Sequence, residues 1–505
     1  MTNHVVAYSR ENGGRVLILF LLFFLAIYQF ITAGFPAFAI ICIIPIIVLL
    51  GYWTFKFGMF AFWGLIVINY FLQFKLTPPP IPMSLPNEML QLLLLGTAII
   101  DARQNPHFER CVNIMLLTLI VWCTYCTLEV LNDTCGLGID VGAWYSGARM
   151  MAFQLLYTFL VFSIYISSPE ILMKYLKIWA ILSLFSAIWT WKQQNLGLSP
   201  AETSFLYGRG STTHLLQGGT LIRYWSTFSD AANYGCNAAG SAIAFLVFGI
   251  TSKLKKDKIF FILIGLIVIK SMFASGTRTA TFCLIAGFAV YIVLSKSIRI
   301  AIPASIIGGI LFFLLAFTTI GQGNQQIRRM RSAFDKNDAS SNTRSINQAT
   351  MRKYMSDAPW GIGIGRGMDN VPANNKYSKM ATIAPDSEYV FIWLRAGKIG
   401  ITLFIITMLI MLGGACYIVM FKLKSPSLTG IGGGLCSAFV AIQLGGYGNQ
   451  VLMQFPNALI FYGGLTIVYV LPYLEPAWIE YEKKRLAEQE ERKRLKLEKK
   501  LASRV

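Results

Sequence analysis

Apolar residues along this chain neither alternate as in strands nor keep to one stripe of an amphipathic helix; they come in long blocks separated by short polar turns. About 20 apolar residues in a helix cross the hydrocarbon of a bilayer. The blocks predict spans over roughly 15–34, 36–53, 57–74, 86–100, 111–131, 149–167, 173–191, 235–251, 258–274, 278–294, 300–320, 398–421, 428–447 and 457–474, about fourteen in all. The second follows the first too closely for the first to be a cleaved signal peptide. Two connections break the rhythm, at 192–234 and 321–398, both far longer than a usual turn between helices.

Composition agrees. Of 505 residues, 55% are hydrophobic and 13% charged, and the mean hydropathy of +0.56 exceeds what an aqueous fold could cover. The expected fold is an all-α, polytopic membrane helix bundle. It divides into N-terminal spans (1–191), a first long outer loop (192–234), further spans (235–320), a second long outer loop (321–398), C-terminal spans (399–474) and a basic tail (475–505). No internal repeat and no Walker or Rossmann glycine pattern is present, so coupling to ATP within the chain is not expected.

Charge sets the orientation. Lys56, Arg103 with Arg110, Lys174 with Lys177, the run Lys253, Lys255, Lys256 and Lys258, Lys296 with Arg299, and Lys422 with Lys424 all fall on one side of the predicted bundle. The positive-inside rule makes that side, and both termini, cytoplasmic. The net charge of +20 is then mostly topology, and nucleic acid is discounted as a partner. The tail suits a solvated helix beside anionic lipid, read as a topological anchor. The nine cysteines show no metal-ligand spacing, and Cys135 with Cys236 near the outer face leaves a disulfide open.

Candidate chemistry concentrates in three places. The first loop ends in Arg223-Tyr-Trp-Ser-Thr-Phe-Ser-Asp230-Ala-Ala-Asn233, where a guanidinium beside hydroxyls and amides suits a phosphate. The aromatics Tyr224, Trp225 and Phe228 fit an interfacial belt or sugar stacking. Next comes Ser275-Gly276-Thr277-Arg278, which sits between two spans; Arg278 opens a helix at membrane depth, where an ionisable residue is either functional or snorkelling. The third holds Arg344, the run Gly361-Ile-Gly363-Ile-Gly365-Arg366-Gly367, Asp386-Ser-Glu388-Tyr389, and Arg395-Ala-Gly397-Lys398-Ile-Gly400. This second outer loop is dense in cations, including Arg328, Arg329 and Arg331, which points to an anionic ligand beyond ordinary solvation of a translocated loop. His214 reads as a solvated loop residue rather than a base.

Taken in order, these segments resemble the family of O-antigen ligases and Wzy-type polysaccharide polymerases. The resemblance covers roughly residues 205–400 and implies a bundle like the type C glycosyltransferases. It also implies a bacterial inner-membrane location and a polyprenyl-diphosphate-linked glycan as donor at the outer face. On it, Arg223 and Arg278 bind the diphosphate with Arg366 and Arg344 as helpers, and neither metal nor cofactor is needed. Membrane lipid and other polysaccharide-assembly proteins are the implied partners. Ligases of the family typically carry histidine where this chain has Asp386, and the second loop has no histidine. A carboxylate can also orient or deprotonate a hydroxyl, so Asp386 or Glu388 is the catalytic candidate beside Arg278. The departure favours polymerase over ligase. A flippase for lipid-linked oligosaccharide is the alternative from another class; it would place charges midway through helices, whereas most here lie in outer loops.

Overall fold

The computed structural model describes residues 13–73, 84–101, 107–208, 210–216, 221–296, 339–367, 370–382 and 387–502, with scattered positions between 302 and 331. It separates into two compact units, residues 1–62 and 63–505. The first is dominated by one continuous helix, α1 (Gly13–Lys56), where the sequence predicts two spans. Its apolar flanks supply no turn-forming polar residues, and Pro36 alone does not break it.

In the second unit, which α2 (Gly58–Phe71) enters from the first, come α3 (Ser84–Ile100), α4 (Ile114–Leu128), α5 (Val141–Ala148), α6 (Gln154–Tyr165), α7 (Pro169–Asn195), α8 (Pro200–Tyr207) and the single turn α9 (Ser211–His214). A hairpin of β1 (Leu215–Leu216) and β2 (Leu221–Ile222) precedes α10 (Ala231–Thr251), α11 (Lys255–Ala274) and α12 (Arg278–Leu294). After the second loop's α13 (Ala339–Met355) and α14 (Ser378–Thr382) come α15 (Glu388–Tyr417), α16 (Pro426–Gly448) and α17 (Asn457–Ala502).

Among the described residues, seven helices are long and apolar enough to cross a membrane, or eight if the pair Val48–Lys56 and Gly58–Phe71 is one span. The shortfall from fourteen has identifiable sources. Two predicted spans are fused in α1, the one at 300–320 lies largely outside the described residues, α3 and α12 are shorter, and α11 carries Asp257, Lys258 and Lys270. The architecture is all-α and multi-spanning, as the apolar blocks predict.

The centre of the bundle is α10, which packs against α11, α12 and α16. Its run of small residues, Gly235 to Ala244, is almost entirely buried and lets neighbouring backbones approach. At one end of the bundle the charged turns meet: Lys177 and Arg485 share Asp257 at 2.8 Å each, Lys253 pairs with Glu482, and the Ser425 N–H donates to Glu475. The basic tail is therefore the continuation of α17 through Pro472 and Pro476, tied to this end by ion pairs. Cys135 and Cys236 are both free, and Cys236 is buried in α10, so the disulfide left open by the sequence is absent.

Candidate functional site

At the opposite end of α11 from those charged turns, the chain reverses through Ser275-Gly276-Thr277 into α12. Gly276 takes the left-handed conformation (φ 56°), which a glycine adopts freely. The turn sits tight on α10: a Cβ at Gly235 would fall 2.4 Å from Ser275 Oγ, and Thr277 Oγ1 donates to the Ala231 carbonyl at 2.8 Å. Small residues at 235 and 276 thus let the first two sequence segments touch.

Arg223 is clamped across this turn. Its Nε donates to Ser275 O (3.2 Å), Nη2 to Thr277 Oγ1 (2.9 Å) and Nη1 to Thr213 O (2.9 Å), all neutral acceptors. Arg329 reaches the same turn, its Nε donating to Gly276 O at 2.5 Å. A Cβ on Gly276 would lie 3.4 Å from both Arg223 and Arg329. Arg278, half-buried, is the first residue of α12, whose N-terminus carries no side-chain cap. Two guanidinium groups and an uncapped helix N-terminus, which Arg278 opens, therefore meet at one glycine. Such a place favours an anion.

The first loop is held behind Arg223 by buried polar groups. Glu202, 1% exposed, accepts from Trp189 Nε1, Lys192 Nζ, Gln193 Nε2 and the Ser199 N–H at 2.7 to 3.0 Å. Burial pushes its carboxyl up, but these donors outweigh burial and hold it down at about 2. Gln193 in turn bonds Ser226 in both directions, fixing it in the left-handed region (φ 55°) three residues past Arg223. His214, expected to be solvated, is 2% exposed between Phe205 and Trp225. Its Nε2 accepts from the Ala231 N–H at 3.1 Å, which leaves the ring proton on Nδ1, toward Gly210 O and Thr213 Oγ1. The ring's apolar neighbours buried it; its two nitrogens tie α9 to α10.

Asp230 and Asn233 belong to this scaffold. Asp230 Oδ1 caps α10 by accepting from the Ala232 and Asn233 N–H groups at 2.8 Å. Asn233 bonds Phe455 O and Asn457, and Asn237 donates to Asn457 as well. The turn at 449–456 also meets the second segment, where Asn449 Nδ2 donates to Thr279 Oγ1 at 3.1 Å. It meets the third as well: the Leu452 N–H donates to Glu388 Oε2 at 3.1 Å. All three segments singled out in the sequence thus converge on a fourth that was not. Its only advance signal is a set of amide side chains, Asn449, Gln450, Gln454 and Asn457, between two apolar spans.

The third segment is built differently. At Gly397 (φ 70°, ψ −170°) α15 kinks, freeing carbonyls of the preceding turn. Leu394 O accepts from the Ile362 N–H, Arg395 O from the Gly363 N–H, and Ala396 O from Tyr125 Oη. The glycine run is thus a dock for the kink, and a Cβ at Gly397 would fall 2.1 Å from Pro359 O. Arg366 is 8% exposed, donates to Gly138 O at 2.6 Å and faces Asp140 at 3.7 Å, so its bonds lead away from the Gly276 turn. Arg344 lies on α13 with its side chain outside the description, and Asp386 lies outside the described residues. Glu388 is 3% exposed, its carboxylate turned to the 449–456 turn. No group of three His, Cys, Asp or Glu side chains able to hold a metal occurs among the described residues.

Fold and site together define a multi-spanning α-helical membrane protein with an arginine-lined turn at one end of its bundle. Residues 260–405 match the family model described as O-Antigen ligase, whose members are glycosyltransferase-like enzymes, so the resemblance to the O-antigen ligase and polymerase family holds over that stretch. The match takes in Arg278, Arg329, Arg344, Arg366, Asp386 and Glu388 and leaves Arg223 outside. No curated protein matches the chain.

Proposed function

We propose that the chain is a polysaccharide polymerase that transfers polyprenyl-diphosphate-linked oligosaccharide repeat units onto one another at the outer face of the bacterial inner membrane. The observation that carries this reading is the meeting of Arg223, Arg329 and the Arg278 end of α12 at Gly276. The donor diphosphate would exchange with the neutral acceptors that Arg223 and Arg329 now hold. In transfer, the bond from the anomeric carbon to the diphosphate oxygen breaks as the acceptor hydroxyl attacks, and its proton passes to the Asp386 carboxylate. Charge develops on the leaving diphosphate, where fixed guanidinium groups stabilise it without a metal. Removing one such group costs about 100- to 1,000-fold in rate. Glu388 and Arg366 serve by holding the 449–456 turn and the 138–140 loop, and Arg344 remains a helper toward the diphosphate.

The family description favours a second reading, a ligase that moves finished polymer to a lipid core. Histidine is absent from the second loop, and that supports the polymerase. Gel analysis of surface glycan and lipid-linked intermediates from a strain lacking the gene separates the readings. A single lipid-linked repeat unit accumulating outside supports polymerisation, full-length polymer retained on its lipid indicates ligation, and repeat units trapped on the inner leaflet indicate a flippase. Arg278→Ala and Arg223→Ala should each reproduce the deletion, and lysine should rescue poorly because bidentate geometry is lost. Wild-type chain lengths from a normally expressed Arg278→Ala would overturn the assignment.

A further inference from the structure

Arg395 is a cation with no partner anion among the described residues. It lies on α15, nine residues beyond Asp386, with its Nε enclosed and bonded to nothing. Among the described residues no acceptor meets either Nη, and the residue as a whole is half-buried. Other enclosed arginines of this chain reach an acceptor through a terminal nitrogen even where Nε has none: Arg149 faces Glu88 at 3.3 Å, Arg110 donates to Ile166 O, and Arg366 holds Gly138 O. An unpaired guanidinium half-buried in protein is costly and is normally matched by an anion.

Its surroundings are shaped around the guanidinium. Phe391, one turn earlier on α15, stacks beneath it at 5.2 Å. Gly367 closes over it: a Cβ there would fall 2.9 Å from Nη2 and 3.4 Å from Nη1. Gly367 is itself fixed, its N–H bonded to Asn370 Oδ1 at 2.6 Å. Arg366 and Arg395 both act on the nearby Cys135 thiol, which burial nonetheless holds above its ordinary value. The positive potential here thus has two sources, and of the two Arg395 alone has no acceptor among the described residues.

We infer that Arg395, backed by Phe391 and bordered by Gly367, is a second oxyanion site, separate from the Gly276 turn, that takes a phosphate or carboxylate of the acceptor glycan. That it is the acceptor's group rests on the function proposed above; that the site binds an oxyanion does not. A planar guanidinium with both Nη atoms free presents a fork matched to either group.

The test is calorimetric titration of the purified full-length chain with inorganic pyrophosphate and, separately, with glucuronate. Wild type is compared with Arg395→Gln, Arg395→Lys and an Arg223→Gln/Arg278→Gln double variant. If the ligand group is a phosphate, wild type takes up two equivalents of pyrophosphate, and Arg395→Gln and the double variant each take up one. If it is a carboxylate, glucuronate binds wild type and the double variant but not Arg395→Gln. Arg395→Lys should bind the same probe about tenfold more weakly, which separates a lost contact from a lost fold. Unchanged stoichiometry for both probes in Arg395→Gln overturns the site. A double variant that still binds two pyrophosphates instead overturns the donor assignment and leaves this one standing.

Discussion

The two long loops face the same end of the bundle but are held by opposite means. The first, around Arg223, is set by buried polar groups: Glu202 gathers four donors, Gln193 passes the constraint to Ser226, and His214 ties α9 to α10. The second, from α13 to α15, wraps an apolar cluster of Met351, Met355, Ala358, Ile362, Val371, Tyr377, Met380 and Leu394. A polar hub fixes directions, because each hydrogen bond has a geometry; an apolar cluster fixes only proximity. The loop that sets Arg223 across the Gly276 turn is the polar one.

That contrast can be broken from either side. Glu202→Ala should have the largest effect, about 4 kcal/mol of local stability, because it leaves Lys192 and Gln193 without their buried acceptor. Proteolysis within residues 199–223 should rise sharply, and polymer should be lost although Glu202 touches no substrate. The same carboxylate gives a pH signature. With its value held at about 2 against 4.5 for an ordinary glutamate, its contribution is fully present above 4.5 and is lost as the pH falls through about 2. Protection of the first loop should therefore outlast mild acid, and loss of protection already near 4.5 would contradict the hub. Ile362→Ala removes a fully buried side chain from the apolar cluster and should cost about 3 kcal/mol, loosening the second loop to protease while chain length shortens only modestly. Smallest is Lys376→Ala. Lys376 pairs with Asp357 at 2.7 Å on the surface and pulls that carboxyl below its ordinary value, but both side chains are more than half exposed. Its removal should leave the protease pattern of the second loop unchanged.

Much of this was legible beforehand. Apolar blocks gave the helices, and Arg223, Gly276 and Arg278 were marked because charges and small residues are conspicuous in apolar sequence. Span ends were less so: α15 begins at Glu388 rather than 398, yet its break falls at Gly397, where the span was expected to start. What stayed hidden was pairing at a distance. Nothing near Arg329 in the sequence distinguishes it from Arg328 or Arg331, and only the fold lays it on Gly276. His214 looked solvated because its burial comes from Trp225, eleven residues on, and Phe205, nine residues before. Asn457 carries no charge to draw notice, though it joins α10 to the 449–456 turn.

That turn has a practical bearing on how this protein is studied. Short hydrophilic connections between spans are where reporter fusions and epitope tags are usually inserted to chart which side of a membrane each segment faces. Here such an insertion between Asn449 and Pro456 would unfasten Thr279, Asn233 and Glu388 at once. A null phenotype would be blamed on the tag's address, when the damage lay in having cut the knot that ties three distant stretches of sequence together.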